Sequence, residues 1–229
     1  MSTRTGDHGR PDPVGAAPQT LTAADLRAWI ARAEQAVVRH RAWLDRLDAR
    51  LGDGDHGENM SVGLGEAVRA LGEEADAADP GEVLRRLGQL LVASVGGAGG
   101  SLYGTAFMEA GIAVAGLPAL DAAALAAAFD AAAEGIARRG RCRAGDKTIY
   151  DAMRPAADAV VRVADAGGDV ASALEHAAPA SWAGMRATRP LVARRGLALR
   201  LGERSRGHLD PGAVSCFLLV RAMLPDRRA

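Results

Sequence analysis

Five times along this chain a helix start is spelled out in local sequence. Thr22-Ala23-Ala24-Asp25 has the spacing of a capping box, with Asp standing in for Glu. Asp79-Pro80-Gly81-Glu82 sets an N-cap acid before a proline, whose missing N–H is no loss in a first helical turn. Asp121, Asp169 and Asp210-Pro211 repeat the signal. No stretch between them shows sustained period-two alternation with β-branched enrichment. The pattern predicts eight helices, over about residues 22–48, 58–75, 79–95, 101–115, 121–140, 147–166, 169–195 and 210–224, the seventh bent near Pro190. The class is all-α, and connections this short make successive helices antiparallel, up and down.

Composition says how such helices must pack. Aromatic residues are 3% of a chain that is 48% hydrophobic, so the core rests on Ala, Leu and Val and backbones can approach closely. A length of 229 residues suits one domain, read as residues 21–229 behind a polar, disordered tail at 1–20. Formal net charge is zero, which gives no electrostatic case for nucleic acid or an anionic membrane. No apolar run reaches bilayer length, and the first residues lack the apolar stretch of a secretory signal. Cys142 and Cys216 are too few for a disulfide framework and have no zinc-type partners nearby, so free thiols in a reducing cytoplasm are expected.

Chemistry concentrates in Asp48-Ala49-Arg50-Leu51-Gly52-Asp53-Gly54-Asp55-His56-Gly57-Glu58-Asn59. Ionised carboxylates this close repel one another, and a divalent cation removes the conflict. Gly52, Gly54 and Gly57 allow the chain to fold back, so Asp48 from a helix end and Asp53 and Asp55 from the loop can converge. Hard cations such as Mg²⁺ take oxygen ligands and complete their shell with water and phosphates. His56 is free to donate to a phosphate, to ligate, or to orient an acid. A solvated acidic turn explains Asp-Gly-Asp alone, but not the addition of Asp48, His56 and Asn59. The formal match of Gly52-x-Gly54-x-x-Gly57 to a dinucleotide fingerprint fails, because a helix precedes it and its acids would repel a pyrophosphate. A calcium loop fails because Glu58 stands where the sixth-position glycine belongs.

In an up-and-down arrangement alternate connections share one end. The acidic loop then joins Gly96–Gly100, Gly140–Asp146 and Gly196–Asp210, which are the remaining glycine-rich or polar-dense segments. The opposite connections, 76–79, 116–120 and 167–168, carry nothing chemical. Gly96-Gly97-Ala98-Gly99-Gly100-Ser101 leads into a helix N-terminus, where free amides favour phosphate, although as a plain glycine connector it needs no ligand. Gly145-Asp146-Lys147-Thr148 holds the chain's one lysine and reads alone as a structural cap. The segment 202–212 mixes charges with glycines, suited to closing over a ligand, and His208 within it fits a role satisfying backbone carbonyls equally well.

Four of these motifs together resemble the L subunit of dihydroxyacetone kinase (DhaL): Asp48-x4-Asp53-Gly-Asp55-His56-Gly-x-Asn59, Gly96-Gly-Ala…Ser101-Leu-Tyr-Gly104-Thr105, Gly145-Asp-Lys-Thr148, and Leu201-Gly-Glu-Arg-Ser-x-Gly-His-x-Asp210-Pro-Gly-Ala213. The resemblance runs over about residues 22–225. It implies an eight-helix barrel with a nucleotide at one end, and two Mg²⁺ ions held by Asp48, Asp53 and Asp55 that bridge the phosphates of ADP or ATP. By the same resemblance His56 and Asn59 lie beside the phosphates, and Gly97, Ala98, Gly99 and Thr105 on the glycine-loop side. Gly140 and Ile149 fall on the adenine side, Asp210, Pro211 and Gly212 in the closing loop, with no catalytic group beyond the metals. The ketose is held by a separate subunit K, so this chain is expected to be half of an enzyme. Relatives either turn over ATP or keep ADP as a cofactor recharged by phosphotransferase subunit M. The family's nucleotide-contacting arginine is replaced by Leu197, with Arg200 one helical turn away as substitute, and the usual Ala-Ser-Gly-Pro is Ala98-Gly99-Gly100-Ser101. Two alternatives stand beside the kinase subunit. One is a non-catalytic nucleotide-sensing partner of a regulator; the other is a fatty-acid-kinase-like domain, disfavoured because that family carries Thr at His56.

Overall fold

The computed structural model describes residues 20–73 and 79–225. The helices are α1 (Ala23–Asp48), α2 (His56–Glu73), α3 (Pro80–Ser94), α4 (Gly97–Ala113), α5 (Ala122–Gly140), α6 (Tyr150–Asp165), α7 (Val170–Ala187) and α8 (Pro211–Arg221), with a 3-10 segment at Leu197–Ser205. Among the described residues the one β-type contact is an isolated bridge between Leu21 and Leu120, which ties the start of α1 to the α4–α5 turn. Each helix packs on its successor, and α8 returns to α1, so the ring closes. The fold is an all-α antiparallel barrel. No helix among the described residues is long and apolar enough to cross a membrane.

The helix starts follow from the capping chemistry. Thr22 and Asp25 make the reciprocal capping box of α1. The side chains of Asp79, Asp121, Asp169 and Asp210 each accept from the third backbone N–H of the helix they open. Close packing follows from the small residues. A Cβ on Gly88 of α3 would lie 2.6 Å from the carbonyl oxygen of Gly104 on α4, and one on Gly81 would lie 2.7 Å from that of Gly111. Each pair sits two turns from the other, so backbone packs on backbone along the α3–α4 crossing. What remains empty inside the ring is an apolar cavity of about 70 Å³ beside Trp29, Phe107 and Phe129.

Four boundaries differ from expectation. The segment Gly97–Gly100 is the first turn of α4 rather than a loop. Gly100 there answers crowding, since its Cβ would strike the carbonyl oxygen of Val95 and lie 2.9 Å from that of Leu91, whereas Gly97 answers a positive φ of 65°. Helix α6 begins at Tyr150 instead of Lys147, because Lys147 takes a left-handed conformation (φ 62°). Helix α7 stops at Ala187 and does not reach Arg195, as Pro190 disfavours helical geometry at Arg189 before it. The proline inside α7 is Pro179. Helix α8 ends at Arg221, three residues short of Leu224. The expected tail at 1–20 falls almost wholly outside the described residues, as does the expected end of the second helix at Ala75.

Candidate nucleotide and metal site

The acidic loop is folded around Asp48. This residue ends α1, and its Oδ2 accepts from the backbone N–H of Gly54 (2.9 Å) and of Asp55 (3.2 Å). Gly54 makes the reversal at φ 87°. One turn earlier Asp45 accepts from the N–H of Glu58, and Arg41 pairs with the Glu58 carboxylate at 2.5 Å, fixing the start of α2 against the end of α1. Asp48, Asp53 and Asp55 thereby bring one carboxylate oxygen each to within 4.8 Å of one another. Asp48 is nearly buried while Asp53 and Asp55 are exposed. Burial raises the Asp48 carboxyl above the ordinary carboxylate range, the Gly54 N–H opposes this, and the Asp53 carboxyl raises it further. Three oxygen donors in mutual repulsion, with no sulfur or nitrogen among them, fit a hard divalent cation.

These acids form one wall of a cleft of about 310 Å³ at the end of the ring. Gly97, Ala98 and Gly99 form a second wall at the N-terminus of α4, whose first-turn amides have no helical acceptor. Gly140, Cys142, Thr148 and Ile149 form a third, and Arg195 to Ala198 with Asp210, Pro211 and Gly212 a fourth. His56 and Asn59 also line the cleft. Of the residues expected at a site, Thr105 stands apart from this lining. It lies two turns into α4, where its hydroxyl donates to the Ser101 carbonyl at 2.8 Å. Arg200 also stays outside the cleft, whereas Leu197 and Arg195 line it.

Beneath the floor three helices share a polar contact. His56 Nε2 of α2 lies 2.8 Å from Ser215 Oγ of α8, and Tyr103 Oη of α4 lies 2.7 Å from the same hydroxyl. The hydroxyl of Ser215 in turn donates to the Gly212 carbonyl at 3.1 Å. Burial pushes the His56 imidazole down to about 4, against the pull of Asp45 and Asp53, so the ring is neutral near pH 7. Burial also pushes Asp210 up to about 7; the Ala213 N–H and Lys147 work the other way. Sequence reasoning missed Tyr103, Ser215, Cys142, Arg139 and Arg195 as parts of the site. Local signals existed for three of them: Cys142 falls within Gly140–Asp146, Tyr103 within the Ser101–Thr105 motif, and Arg195 within Arg194-Arg195-Gly196, directly before the covering segment.

The DAK2 domain family matches residues 50–225. The chain belongs to the DAK2 domain family. Two proteins of Listeria innocua, the ADP-binding subunits DhaL of PEP-dependent dihydroxyacetone kinases 1 and 2, are 40% and 38% identical to it. The first similarity covers 86% of this chain and 92% of the relative, the second 83% and 88%. The dihydroxyacetone kinase of C. freundii, solved in complex with AMP-PNP and Mg²⁺, superposes with a TM-score of 0.66 at 20% identity over 97% of this chain. This DAK2 chain spans only 37% of that protein's length.

Proposed function

We propose that this chain is the Mg²⁺- and adenine-nucleotide-binding L subunit of a kinase for dihydroxyacetone or a related short ketose, working with a separate ketose-holding subunit K. The observation that carries the reading is the convergence of three carboxylates on one wall of a cleft that also presents a helix N-terminus. Mg²⁺, two ions by resemblance to the family, would neutralise charge on the phosphates and orient them for in-line transfer. Asp48, Asp53 and Asp55 are the residues that would hold it. The free amides of Gly97, Ala98 and Gly99 donate to phosphate oxygens, with the helix dipole in support. His56 sets an uncharged ring beside them, held by Ser215. Leu102, Cys142, Ile149 and Leu197 offer an apolar slot for the base.

The acceptor has to come from elsewhere. The chain corresponds to little more than a third of the C. freundii kinase, which supports a division of labour with a second polypeptide. The Listeria relatives, similar over nearly their whole length, are ADP-binding subunits of PEP-dependent enzymes, which favours ADP retained as a cofactor and recharged by a phosphotransferase protein, subunit M. Denaturing the purified protein and quantifying released nucleotide tests this mode, with near-stoichiometric ADP expected. An empty protein that turns over MgATP with subunit K refutes retention. Calorimetric titration of nucleotide-free protein with ADP tests the site itself. Asp53→Ala should lose Mg²⁺-dependent binding with helicity intact, and unchanged affinity in that variant refutes the metal assignment.

A further inference from the structure

Two segments at the cleft end of the ring, residues 138–147 and 186–210, hold twelve basic residues against three acidic ones, in a chain whose totals of 28 and 28 cancel. The three acids are already engaged. Asp146 is buried and lies 3.3 Å from Arg195, Glu203 pairs with Arg206 at 2.9 Å, and Asp210 caps α8. Arg138 pairs with Glu109 at 3.0 Å, and Lys147 is buried. Arg139, Arg141, Arg194, Arg200 and Arg204 are exposed and have no ion pair among the described residues. All five belong to the two segments that contribute lining residues to one side of the mouth. Arg139 lines the cleft, Arg141 and Arg194 neighbour the lining residues Cys142 and Arg195, and Arg200 and Arg204 ride the 3-10 segment whose first residues wall it. Leu197 and Leu199, 47% and 55% exposed, stand in their midst.

Like charges gathered on one face repel each other in the free chain and draw in an oppositely charged partner. We propose that these arginines, with Leu197 and Leu199, form the docking face for an acidic surface of the polypeptide that brings the phosphoryl acceptor to the cleft, an inference that rests on the kinase-subunit reading above. A protein partner fits better than nucleic acid, because the two segments contain no Phe, Tyr or Trp on which a base would stack. Exposed leucine amid arginine matches the make-up of protein interfaces, where Arg is enriched and the centre is apolar. A membrane fits less well, since the 3-10 segment is nine residues long and broken at Gly202, too short to lie as an amphipathic helix.

The test is the association rate of the intact, MgADP-loaded chain with purified K subunit of dihydroxyacetone kinase, at 50 and 300 mM NaCl. The wild-type rate should fall with salt. The triple variant R141E/R200E/R204E should associate about tenfold or more slowly at 50 mM, with the gap narrowing at 300 mM. None of the three residues lines the cleft, so MgADP affinity measured at 300 mM NaCl, where their field is screened, should be unchanged. R141Q/R200Q/R204Q should fall between, which tracks charge rather than a folding defect. Wild-type association that ignores both salt and the triple reversal overturns the inference and leaves the kinase reading standing. Failure of the wild-type chain to bind subunit K at all overturns both. Binding to phosphatidylserine vesicles or a poly(U) oligonucleotide in place of subunit K, lost in the triple variant, also overturns the inference.

Discussion

Replacing Lys147 by Met tests whether the wall of the cleft formed by residues 188–212 is latched from below. Lys147 is 2% exposed, and its ammonium donates to the carbonyls of Thr188 (2.7 Å) and His208. It thereby staples the end of α7 to the approach to α8 across the whole covering segment. Thr188 extends the latch, because its hydroxyl accepts from the N–H of Asp210 at 3.1 Å. Burial lowers the Lys147 pKa, and Asp210 and Asp151 oppose the shift. Methionine keeps an unbranched apolar stem, one atom shorter, but leaves two carbonyls without their donor. Each orphaned buried acceptor costs roughly 1–3 kcal/mol, and release from burying an ammonium gives part of that back, so a net loss of about 3 kcal/mol is expected. Urea unfolding followed by circular dichroism measures the loss, and limited proteolysis reports whether cuts concentrate at 188–210. MgADP affinity should weaken as Asp210, Pro211 and Gly212 lose their fixed position. A variant within about 0.5 kcal/mol of wild type, with unchanged proteolysis, refutes the latch, since that is the scatter of ordinary surface substitutions.

Further predictions concern packing and titration. Gly65→Ala should stabilise by about 0.5–1 kcal/mol because nothing lies within 4 Å of the new Cβ, whereas Gly88→Ala meets the Gly104 carbonyl and should destabilise by about 1–2 kcal/mol despite the same gain in helix propensity. Equal shifts of the two denaturation midpoints would discard the account of the α3–α4 crossing. Asp210, at about 7 in the folded state against about 3.9 in an open chain, makes the native state the stronger proton binder between these values. Its contribution is therefore fully present below pH 4 and is lost as pH rises to 7. Asp210→Asn keeps the cap acceptor, so in EDTA and without nucleotide it should gain stability relative to wild type between pH 5 and 7.5; parallel stability curves for the two proteins would contradict the shift.

What was legible in the sequence, and what was not, divides along the range of the interactions involved. Helix starts were readable because an N-cap bonds to an amide three residues on, and Thr22, Asp79, Asp121, Asp169 and Asp210 all do so. The acidic loop was readable for the same reason, since Asp48 binds amides only six and seven residues ahead. Gly97–Gly100 was misjudged as a loop because the demand on Gly100 comes from the carbonyls of Leu91 and Val95, whose position depends on how α3 hands over to α4. The floor of the cleft lay further out of reach. His56 and Ser215 are separated by 159 residues and meet only because the ring closes.

Arg200, expected as a substitute for the missing arginine, stays outside the cleft lining. The segment is a 3-10 stretch entered through Gly196 at φ 63° and broken at Gly202; positions three apart in such a stretch share a face but lie about 6 Å apart along its axis, and here Leu197 lines the cleft while Arg200 does not. Arg195 comes before that reversal, where Asp146 holds its guanidinium at 3.3 Å, and so it reaches the lining from the other side. The positive charge that this covering segment brings to the lining is therefore Arg195, which its pair with Asp146 ties to the α5–α6 loop. Nucleotide contacts and the exposed arginines of that segment are thus separable by mutation, and for that reason the triple reversal should change association while leaving MgADP affinity at high salt intact.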